Sequence, residues 1–348
     1  MPLFIWALLR CDVFVFGFGE SFFRLHDLPI LKLLGKRVVM VFHGSDLRPP
    51  YMDGPTMGGA SSRSIADCLQ LTRQLKRKAQ TAERYADVIV SHPLFSHFLE
   101  RPYVRFLAVG LPVLELPAEV RTRTSRPSGI RVLHSPSDPA VKGTLLIREA
   151  VNQVIAEGVE IEYVEVSGQP NAVVLRELQL ADVVIDQLYS DTPMAGFAAE
   201  AASVGCPAIV GSCDWEEIRR AMPAREVGPV QASDAEHLAE AIRILASDPT
   251  ARHDLGDRAR AFAVERDDPS RVAQRFREII DDRIPADWYS DPADCRHLCG
   301  AGLPAERVRE VVRDLVARHG RASLELADKP VLEAQLVEWA SAAPAGQA

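Results

Sequence analysis

The sequence predicts an α/β protein built from two doubly wound units, each with a largely parallel sheet between helices. Short apolar runs rich in Val, Ile and Phe alternate with longer segments whose apolar residues recur at helical spacing. This alternation occurs twice, before and after a polar stretch with Pro and Gly at 119–129. The 348 residues are enough for two domains of ordinary size.

The first series of strands belongs to a predicted N-terminal Rossmann-like domain over residues 1–118. The runs at 12–19, 37–44 and 86–92 are predicted to be buried strands, and residues 61–85 have the spacing of a helix. The opening MPLFIWALLR is apolar, but it has no basic leader and no small-residue cleavage site. We therefore expect a helix or strand of the fold there, and not a signal peptide.

The second series begins after the predicted linker, 119–129. Strands are expected within 130–137, 159–168 and 182–188, separated by helical patterns, and they define a second Rossmann-like domain over 130–265. Residues 266–348 are predicted to form C-terminal helices and a tail, with an amphipathic helix at 304–319. We expect this added segment to pack against the N-terminal domain or to support a homodimer.

Composition excludes several classes of protein. Hydrophobic residues at 47% and charged residues at 25% are typical of a soluble globular chain. The net charge of −8 argues against nucleic acid or an anionic membrane surface as the main partner. No window approaches the ~18 unbroken apolar residues that a membrane span needs.

The six cysteines are scattered and do not resemble the framework of a secreted disulfide-rich domain. A reducing cytoplasm is the expected location. The one cluster, CRHLC at 295–299, lacks the second pair of ligands that a closed zinc site needs, so we expect incidental or buried cysteines and no metal.

Polar residues follow three of the predicted strands, where ligands bind in open α/β sheets. HGSD begins at His43, HSPSDPAVKGT contains Lys142 and Gly143 at a helix start, and DQL begins at Asp186. A lysine beside the free amides of a helix start suits a phosphate. The backbone of Gly196, Phe197 and Ala198 offers a second set of amides that a ligand can approach closely.

Glu200 is the only charged residue in the stretch FAAEAASVGCPAIVG at 197–211. A carboxylate one turn into a helix would repel a phosphate, but it can accept two hydrogen bonds from the vicinal diol of a ribose. Phosphate donors beside a diol acceptor predict a nucleotide site.

These motifs, in this order, resemble the donor site of retaining glycosyltransferases with the GT-B fold, especially those of family 4. FAAEAASVGCPAIVG resembles their E-x7-E region, HSPSDPAVKGT their R-x(n)-K-G segment, and VVMVFHGSD their N-domain strand followed by His. The similarity covers roughly residues 12–280. It implies a GT-B fold, two Rossmann-like domains facing a central cleft, here with a shortened N-terminal domain and extra C-terminal helices.

The resemblance also implies roles for individual residues. Glu200 would hold the ribose hydroxyls, Lys142 the diphosphate, and His43 would face the donor sugar near the reaction centre. His43 and Lys142 are thus the expected catalytic residues. The nucleotide site would comprise Lys142, Gly143, Gly196, Phe197, Ala198 and Glu200, and the donor-sugar contacts Asp186, Gln187, Asp191 and Thr192.

Three departures from the family pattern are visible. Thr192 occupies the position of the first glutamate of E-x7-E, one place after Asp191. The arginine that usually assists the lysine, here Lys142, is absent. The family's first strand and its glycine-rich turn are not recognisable, from which we expect the shortened N-terminal domain.

The resemblance implies a hexosyltransferase-like enzyme that moves a sugar from a nucleoside-diphosphate sugar to a small-molecule or glycan acceptor. The donor is a co-substrate and no cofactor is expected. The sequence has no D-x-D motif, so Lys142 and helix N-termini are expected to stabilise the leaving diphosphate without a metal. Two alternatives stay open: a non-catalytic GT-B-like subunit that binds a nucleotide or a partner, and a sugar-nucleotide epimerase.

Overall fold

A computed structural model describes residues 2–58, 62–113 and 129–342 of the chain. The chain divides into two compact units. The first unit comprises Met1–Val109, Gln274–Leu298 and Ala305–Ala348, and the second comprises Gly110–Ala273 and Cys299–Pro304. Apart from Gly129, the predicted linker at 119–129 lies outside the described residues, and each unit is described by itself.

The first unit is built on a five-stranded sheet. Its strands, in spatial order, are β1 (Val13–Phe16), β2 (Arg37–Val41), β3 (Val88–Ser91), β4 (Tyr103–Arg105) and β10 (Tyr289–Ser290). The first four are parallel, and β10 pairs antiparallel with β4. All four residues of β3 are buried, as expected for a central strand with both faces covered.

Helices of the first unit come from both ends of the chain. They are α1 (Pro2–Arg10), α2 (Leu28–Leu33), α3 (Gly54–Met57), α4 (Ile65–Tyr85), α5 (Phe106–Val109), α15 (Ala305–His319) and α16 (Pro330–Ser341). Helix α4 begins where the Ser64 side chain accepts a hydrogen bond from the Asp67 amide. Helix α15 buries Val308, Val311, Val312 and Leu315, one apolar face at helical spacing, and packs against α16 and α4.

The second unit has a five-stranded sheet that is parallel throughout. Its strands are β5 (Ile130–His134), β6 (Ile161–Glu165), β7 (Val183–Ile185), β8 (Ala208–Gly211) and β9 (Gln231–Ser233), in the spatial order β6-β5-β7-β8-β9. Its helices are α6 (Pro139–Lys142), α7 (Thr144–Ala156), α8 (Asn171–Leu180), α9 (Gly196–Ser203), α10 (Trp215–Ala221), α11 (Ala224–Val227), α12 (Leu238–Ser247) and α13 (Pro249–Arg266). Helix α14 (Pro269–Ile280) contains the boundary at which the chain passes from the second unit to the first.

Strand order locates a ligand crevice in the second unit. The chain goes from β5 outward to β6, then crosses back to β7 on the other side of β5. In such sheets the loops that follow the two strands diverge and leave a crevice at their carboxyl ends. The four parallel strands of the first unit, by contrast, follow one another across the sheet in chain order, so the described strands contain no such reversal.

The predicted fold class is confirmed, because the chain forms two α/β units with largely parallel sheets. The segments predicted as strands at 12–19, 37–44, 86–92, 130–137, 159–168 and 182–188 contain β1, β2, β3, β5, β6 and β7. The cysteines differ from expectation in one respect, since a disulfide joins Cys213 and Cys299 within the second unit.

Candidate functional site

The loop after β5 brings Lys142 to the crevice between β5 and β7. Asp138 caps the short helix α6, its carboxylate accepting from the amides of Ala140 and Val141. Gly143, at φ +76°, ends that turn in the left-handed conformation and begins α7. A Cβ at Gly143 would lie 3.0 Å from Leu188, so a larger residue would push the two loops apart.

The ammonium group of Lys142 lies against the loop after β7. Its Nζ donates to Gln187 Oε1 at 2.5 Å and lies 3.5 Å from Asp186 Oδ1. Asp186 is 1% exposed, and its Oδ2 has no hydrogen-bond partner among the described residues. Gln187 in turn donates to Ser190 Oγ at 2.6 Å. The loop after β7 therefore holds the Lys142 ammonium group at the crevice through the buried carboxylate of Asp186 and the side-chain amide of Gln187.

Helix α9 begins without a side-chain cap. Its N-cap residue, Ala195, has no side-chain acceptor, so the first-turn amides of Gly196, Phe197 and Ala198 lack the partner that a capping side chain supplies elsewhere. Gly196 is exposed, and a Cβ there would meet nothing within 4 Å. The start of α9 thus combines the positive end of a helix dipole with free space for an anion.

Glu200 lies one turn into α9 and is partly buried. Burial raises the pKa of its carboxyl, a hydrogen bond from Asn171 lowers it, and the charge of Asp186 raises it further. The Asn171 Nδ2 to Glu200 Oε1 distance is 3.2 Å. Glu200 is therefore a partly buried carboxyl of α9 that a side chain of α8 contacts.

Asn171 was not singled out from the sequence. It is the first residue of α8, in the segment that follows strand β6. The general rule that ligand-binding residues follow strands could have identified Asn171. An asparagine at the start of a helix does not by itself indicate a ligand site.

Asp191 and Thr192, the predicted sugar contacts, lie in the same loop as Gln187. Asp191 is 3% exposed and its Oδ1 accepts from the Thr192 hydroxyl at 3.3 Å. The Thr192 amide donates to Ser190 Oγ at 3.0 Å, and the carbonyl oxygen of Thr192 accepts from the same hydroxyl at 2.7 Å. Thr192 has the larger exposed fraction of the two, so of this pair its side chain is the more accessible to a ligand.

His134 is a structural residue at the end of β5. Its Nδ1 is 2.8 Å from the Ile185 carbonyl and its Nε2 is 2.9 Å from the Thr144 hydroxyl. The ring is fully buried, and burial lowers its pKa. Both ring nitrogens are therefore engaged in holding β5 against β7 and α7.

His43 lies in the first unit, two residues after the end of β2. Its ring is exposed and lies 4.5 Å from the Phe18 ring and 5.3 Å from the Phe106 ring, measured between centroids. Burial of part of the ring lowers the pKa of His43, and Asp46 opposes this shift. Asp46 also accepts from the backbone amides of His43 and Gly44 at 3.0 and 2.7 Å, which fixes the turn that presents the ring.

The structure therefore brings together, in the second unit, Lys142, Gly143, Asp186, Gln187, Asp191 and Thr192, with the start of α9 and Glu200 following in the same unit. His43 belongs to the other unit. Within residues 2–58, 62–113 and 129–342, no group of three or more His, Cys, Asp or Glu side chains could hold a metal ion. No described helix is both long and apolar enough to cross a membrane.

No protein-family model matches the chain, and no curated protein matches it. Solved structures with a similar fold include HepE of Anabaena in complex with UDP-glucose, at 13% identity, 81% coverage of each chain and a TM-score of 0.46. The catalytic domain of starch synthase IV from Arabidopsis thaliana, bound to ADP and acarbose, has 11% identity over 81% of this chain and 74% of that chain, at a TM-score of 0.45. An alpha-glucosyltransferase in complex with UDP and a 13-mer DNA has 15% identity over 80% and 83% of the two chains, also at 0.45.

Proposed function

We propose that this chain is a glycosyltransferase that moves a hexose-like sugar from a nucleoside-diphosphate sugar to an acceptor. We further propose retention of the anomeric configuration and independence of metal ions. The observation that carries the proposal is the set of groups in the crevice of the second unit. A lysine lies at the strand reversal where ligands bind in such sheets, and an uncapped helix start and a partly buried glutamate belong to the helix that follows the next strand, β7.

Each group has a part in binding the donor. The diphosphate would lie against the amides of Gly196–Ala198 and the ammonium of Lys142, both of which favour negative charge. The ribose diol would donate to the Glu200 carboxylate. The transferred sugar would then extend toward residues 186–192, and His43 is assigned to the donor sugar by the family resemblance alone.

The same groups suit the chemistry of transfer. As the bond from the anomeric carbon to the phosphate oxygen breaks, negative charge develops on the leaving diphosphate, where Lys142 and the α9 amides would stabilise it. An acceptor hydroxyl would attack the anomeric carbon from the face that the diphosphate leaves, and a diphosphate oxygen would take the hydroxyl proton. The new bond between the sugar and the acceptor then has the same anomeric configuration as the donor, and no enzyme nucleophile is required.

A non-catalytic nucleotide-binding subunit is the second candidate. It is favoured by the threonine at 192 in place of a glutamate and by the absence of an arginine beside Lys142. The two candidates differ in the fate of a nucleotide-sugar without an acceptor. A transferase should hydrolyse it slowly and a subunit should bind it unchanged, which chromatography of the released nucleotide can measure.

Nucleotide binding tests the assignment of Glu200. We expect one of UDP, GDP, ADP and dTDP to bind best in calorimetric titrations, and Glu200→Ala to weaken that binding about ten- to a hundredfold. The reason is the loss of charge-assisted hydrogen bonds worth roughly 1.5–3 kcal/mol. Glu149, an exposed acid on α7 of the same unit, provides the matched control Glu149→Ala. Equal affinities in wild type and Glu200→Ala would refute the ribose assignment.

The raised pKa of Glu200 predicts the pH dependence of this binding. Only the ionised carboxylate accepts both hydroxyl protons, so affinity should fall as pH decreases through a pKa above that of an ordinary glutamate. The phosphate of the ligand titrates as well, at a pKa of about 6. The quantity to measure between pH 8 and pH 5 is therefore the ratio of wild-type to Glu200→Gln affinity. We expect this ratio to decline, and a constant ratio would contradict the assignment.

Metal independence is tested by adding EDTA to the wild-type enzyme. Turnover should be unchanged, because Lys142 and the α9 amides are assigned the charge stabilisation that a divalent ion would otherwise provide. Strict dependence of turnover on an added divalent ion would contradict this part of the proposal.

A further inference from the structure

A basic groove of about 850 Å³ lies in the first unit, on the side of helix α4 that faces the loop at residues 20–29. Its lining includes four cationic side chains, Arg24, Arg77, Lys78 and Arg84, and a single carboxylate, Glu20. The chain as a whole has a net charge of −8, so the positive charge of this groove is opposite in sign to that of the whole chain. A cavity lined mainly by cationic side chains attracts anions.

Three of the four cations have no carboxylate partner among the described residues. Lys78 is occupied, since its Nζ lies 3.2 Å from Glu20 Oε1 and donates to the Phe18 carbonyl at 3.1 Å. The guanidinium groups of Arg24, Arg77 and Arg84 form no ion pair with any residue that the structure describes. Pairing of Glu20 with Lys78 therefore leaves three guanidinium groups without a carboxylate among the described residues, and that of Arg84 lies 5.4 Å from the centre of the Tyr85 ring.

Helix geometry explains why these groups face one cavity. Gln74, Arg77, Thr81 and Arg84 recur at intervals of three and four along α4, which places them on a single face of the helix. The helix is 21 residues long and begins at a side-chain cap, so this wall of the groove is a regular helix surface.

The opposite wall is also held in place. Arg24 and Leu25 have φ angles of +50° and +69°, a conformation that non-glycine residues adopt at a cost and that clusters at ligand sites. Asp27, 1% exposed, fixes this loop by accepting from the Ser21 hydroxyl and from the Phe23 amide at 3.1 Å. The Leu25 amide donates to the Ser21 hydroxyl at 2.8 Å. Arg24 is thus presented to the groove by a constrained loop.

We infer that this groove is a binding site for a small organic ligand that carries a phosphate group. Several guanidinium groups around one cavity match the multiple oxygens and double charge of a phosphate better than a single carboxylate. The apolar part of the lining, which includes Leu25, Pro29 and Tyr85, suits the organic part of such a ligand. The inference is independent of the proposed function, because every residue of the groove lies in the first unit and the proposed donor groups lie in the second, apart from His43.

Pyrophosphate is the probe that tests the groove, by calorimetric titration of the full chain. The variant Lys142→Ala serves as the background, because it weakens the proposed diphosphate site of the second unit, which then keeps only the α9 amides. We expect binding on that background, and a loss of affinity of at least tenfold when Arg77→Gln and Arg84→Gln are added together. Arg73→Gln is the matched control, because Arg73 lies on the same helix but pairs with Glu325 and does not line the groove.

Three results would overturn the inference. The first is absence of pyrophosphate binding on the Lys142→Ala background, and the second is an equal loss of affinity in the Arg73→Gln control. The third concerns citrate, which spreads a similar charge over separate carboxylates and should bind at least tenfold more weakly than pyrophosphate. Equal affinity for the two would mean that the groove attracts charge without recognising phosphate. Circular dichroism of each variant verifies that the helix is intact.

Discussion

Replacing Lys142 by Ala is expected to reduce turnover about a hundred- to a thousandfold. Removal of one preorganised donor to a developing negative charge has an effect of this size in other enzymes, ~10²–10³ in kcat. Lys142 is the only lysine of the second unit and lies within 2.5 Å of Gln187 and 3.5 Å of Asp186. Initial rates at saturating donor measure the loss. Arg148→Ala, which removes an exposed cation from α7 of the same unit, is the control and should leave turnover unchanged.

Lys142 could also act solely as the counter-ion of Asp186, and a double variant separates the two roles. Without Lys142 the Asp186 carboxylate, 1% exposed, has no ion-pair partner among the described residues, which should reduce stability by about 1–3 kcal/mol. Adding Asp186→Asn removes the buried charge and should recover most of that stability. Turnover should stay low in the double variant if Lys142 binds the diphosphate. Recovery of both stability and turnover would show that the lysine serves only the carboxylate.

The central strands β2, β3 and β7 were predictable from the sequence because they are buried on both faces. Burial on both faces favours a run of apolar residues, as in the first three residues of β3 and in the last four of β2. Lys142, Asp186 and Gln187 were predictable as neighbours for a similar reason, since each follows a parallel strand and the ends of such strands meet at one edge of the sheet.

Other features depend on contacts between distant segments and leave no local pattern. The bond between Asn171 and Glu200 joins two helices across 29 positions, and that between His134 and Ile185 joins two strands across 51. The basic groove was missed because RQLKRK at 73–78 is indistinguishable, as a sequence, from a solvated helix face. Only the position of the loop at 20–29 shows that Arg77 and Arg84 face a cavity.

The added C-terminal segment was expected to pack against the N-terminal domain or to support a dimer. Helices α15 and α16 lie in the first unit, and the Tyr51 hydroxyl donates to the Leu324 carbonyl at 3.2 Å. Strand β1 nevertheless remains the edge of its sheet, pairing only with β2 among the described strands. A homodimer that covers this edge stays a prediction.

Gly211→Ala is expected to have the largest effect on stability. Gly211 ends β8 and donates its amide to the Gln187 carbonyl at 2.7 Å, while its own carbonyl accepts from the Ser190 amide at 2.9 Å. A Cβ at this position would lie 2.4 Å from the Leu188 carbonyl oxygen and 2.5 Å from the Leu188 Cα. Those atoms belong to the backbone and cannot rotate away, so β8 and the loop after β7 would have to separate.

The free energy of unfolding should therefore fall by about 3 kcal/mol, the upper end of the usual cost of overpacking, and Tm by roughly 6–12 °C. Because Gln187 also contacts Lys142, nucleotide affinity should decrease with the displaced loop. Chemical denaturation and thermal melting followed by circular dichroism measure the first two quantities, and calorimetry measures the third.

Gly196→Ala is the control that separates steric from functional effects, because it makes the same chemical change in the same unit. A Cβ at Gly196 meets nothing within 4 Å, and alanine favours a helix start more than glycine does. Stability should then change by no more than about 0.5 kcal/mol. Nucleotide affinity should still fall, since the new methyl group occupies the space where the diphosphate is proposed to approach the α9 amides. If Gly196→Ala melts as early as Gly211→Ala, the contact with Leu188 is not the cause of the instability. If it binds nucleotide as tightly as the wild type, the diphosphate does not lie at the start of α9.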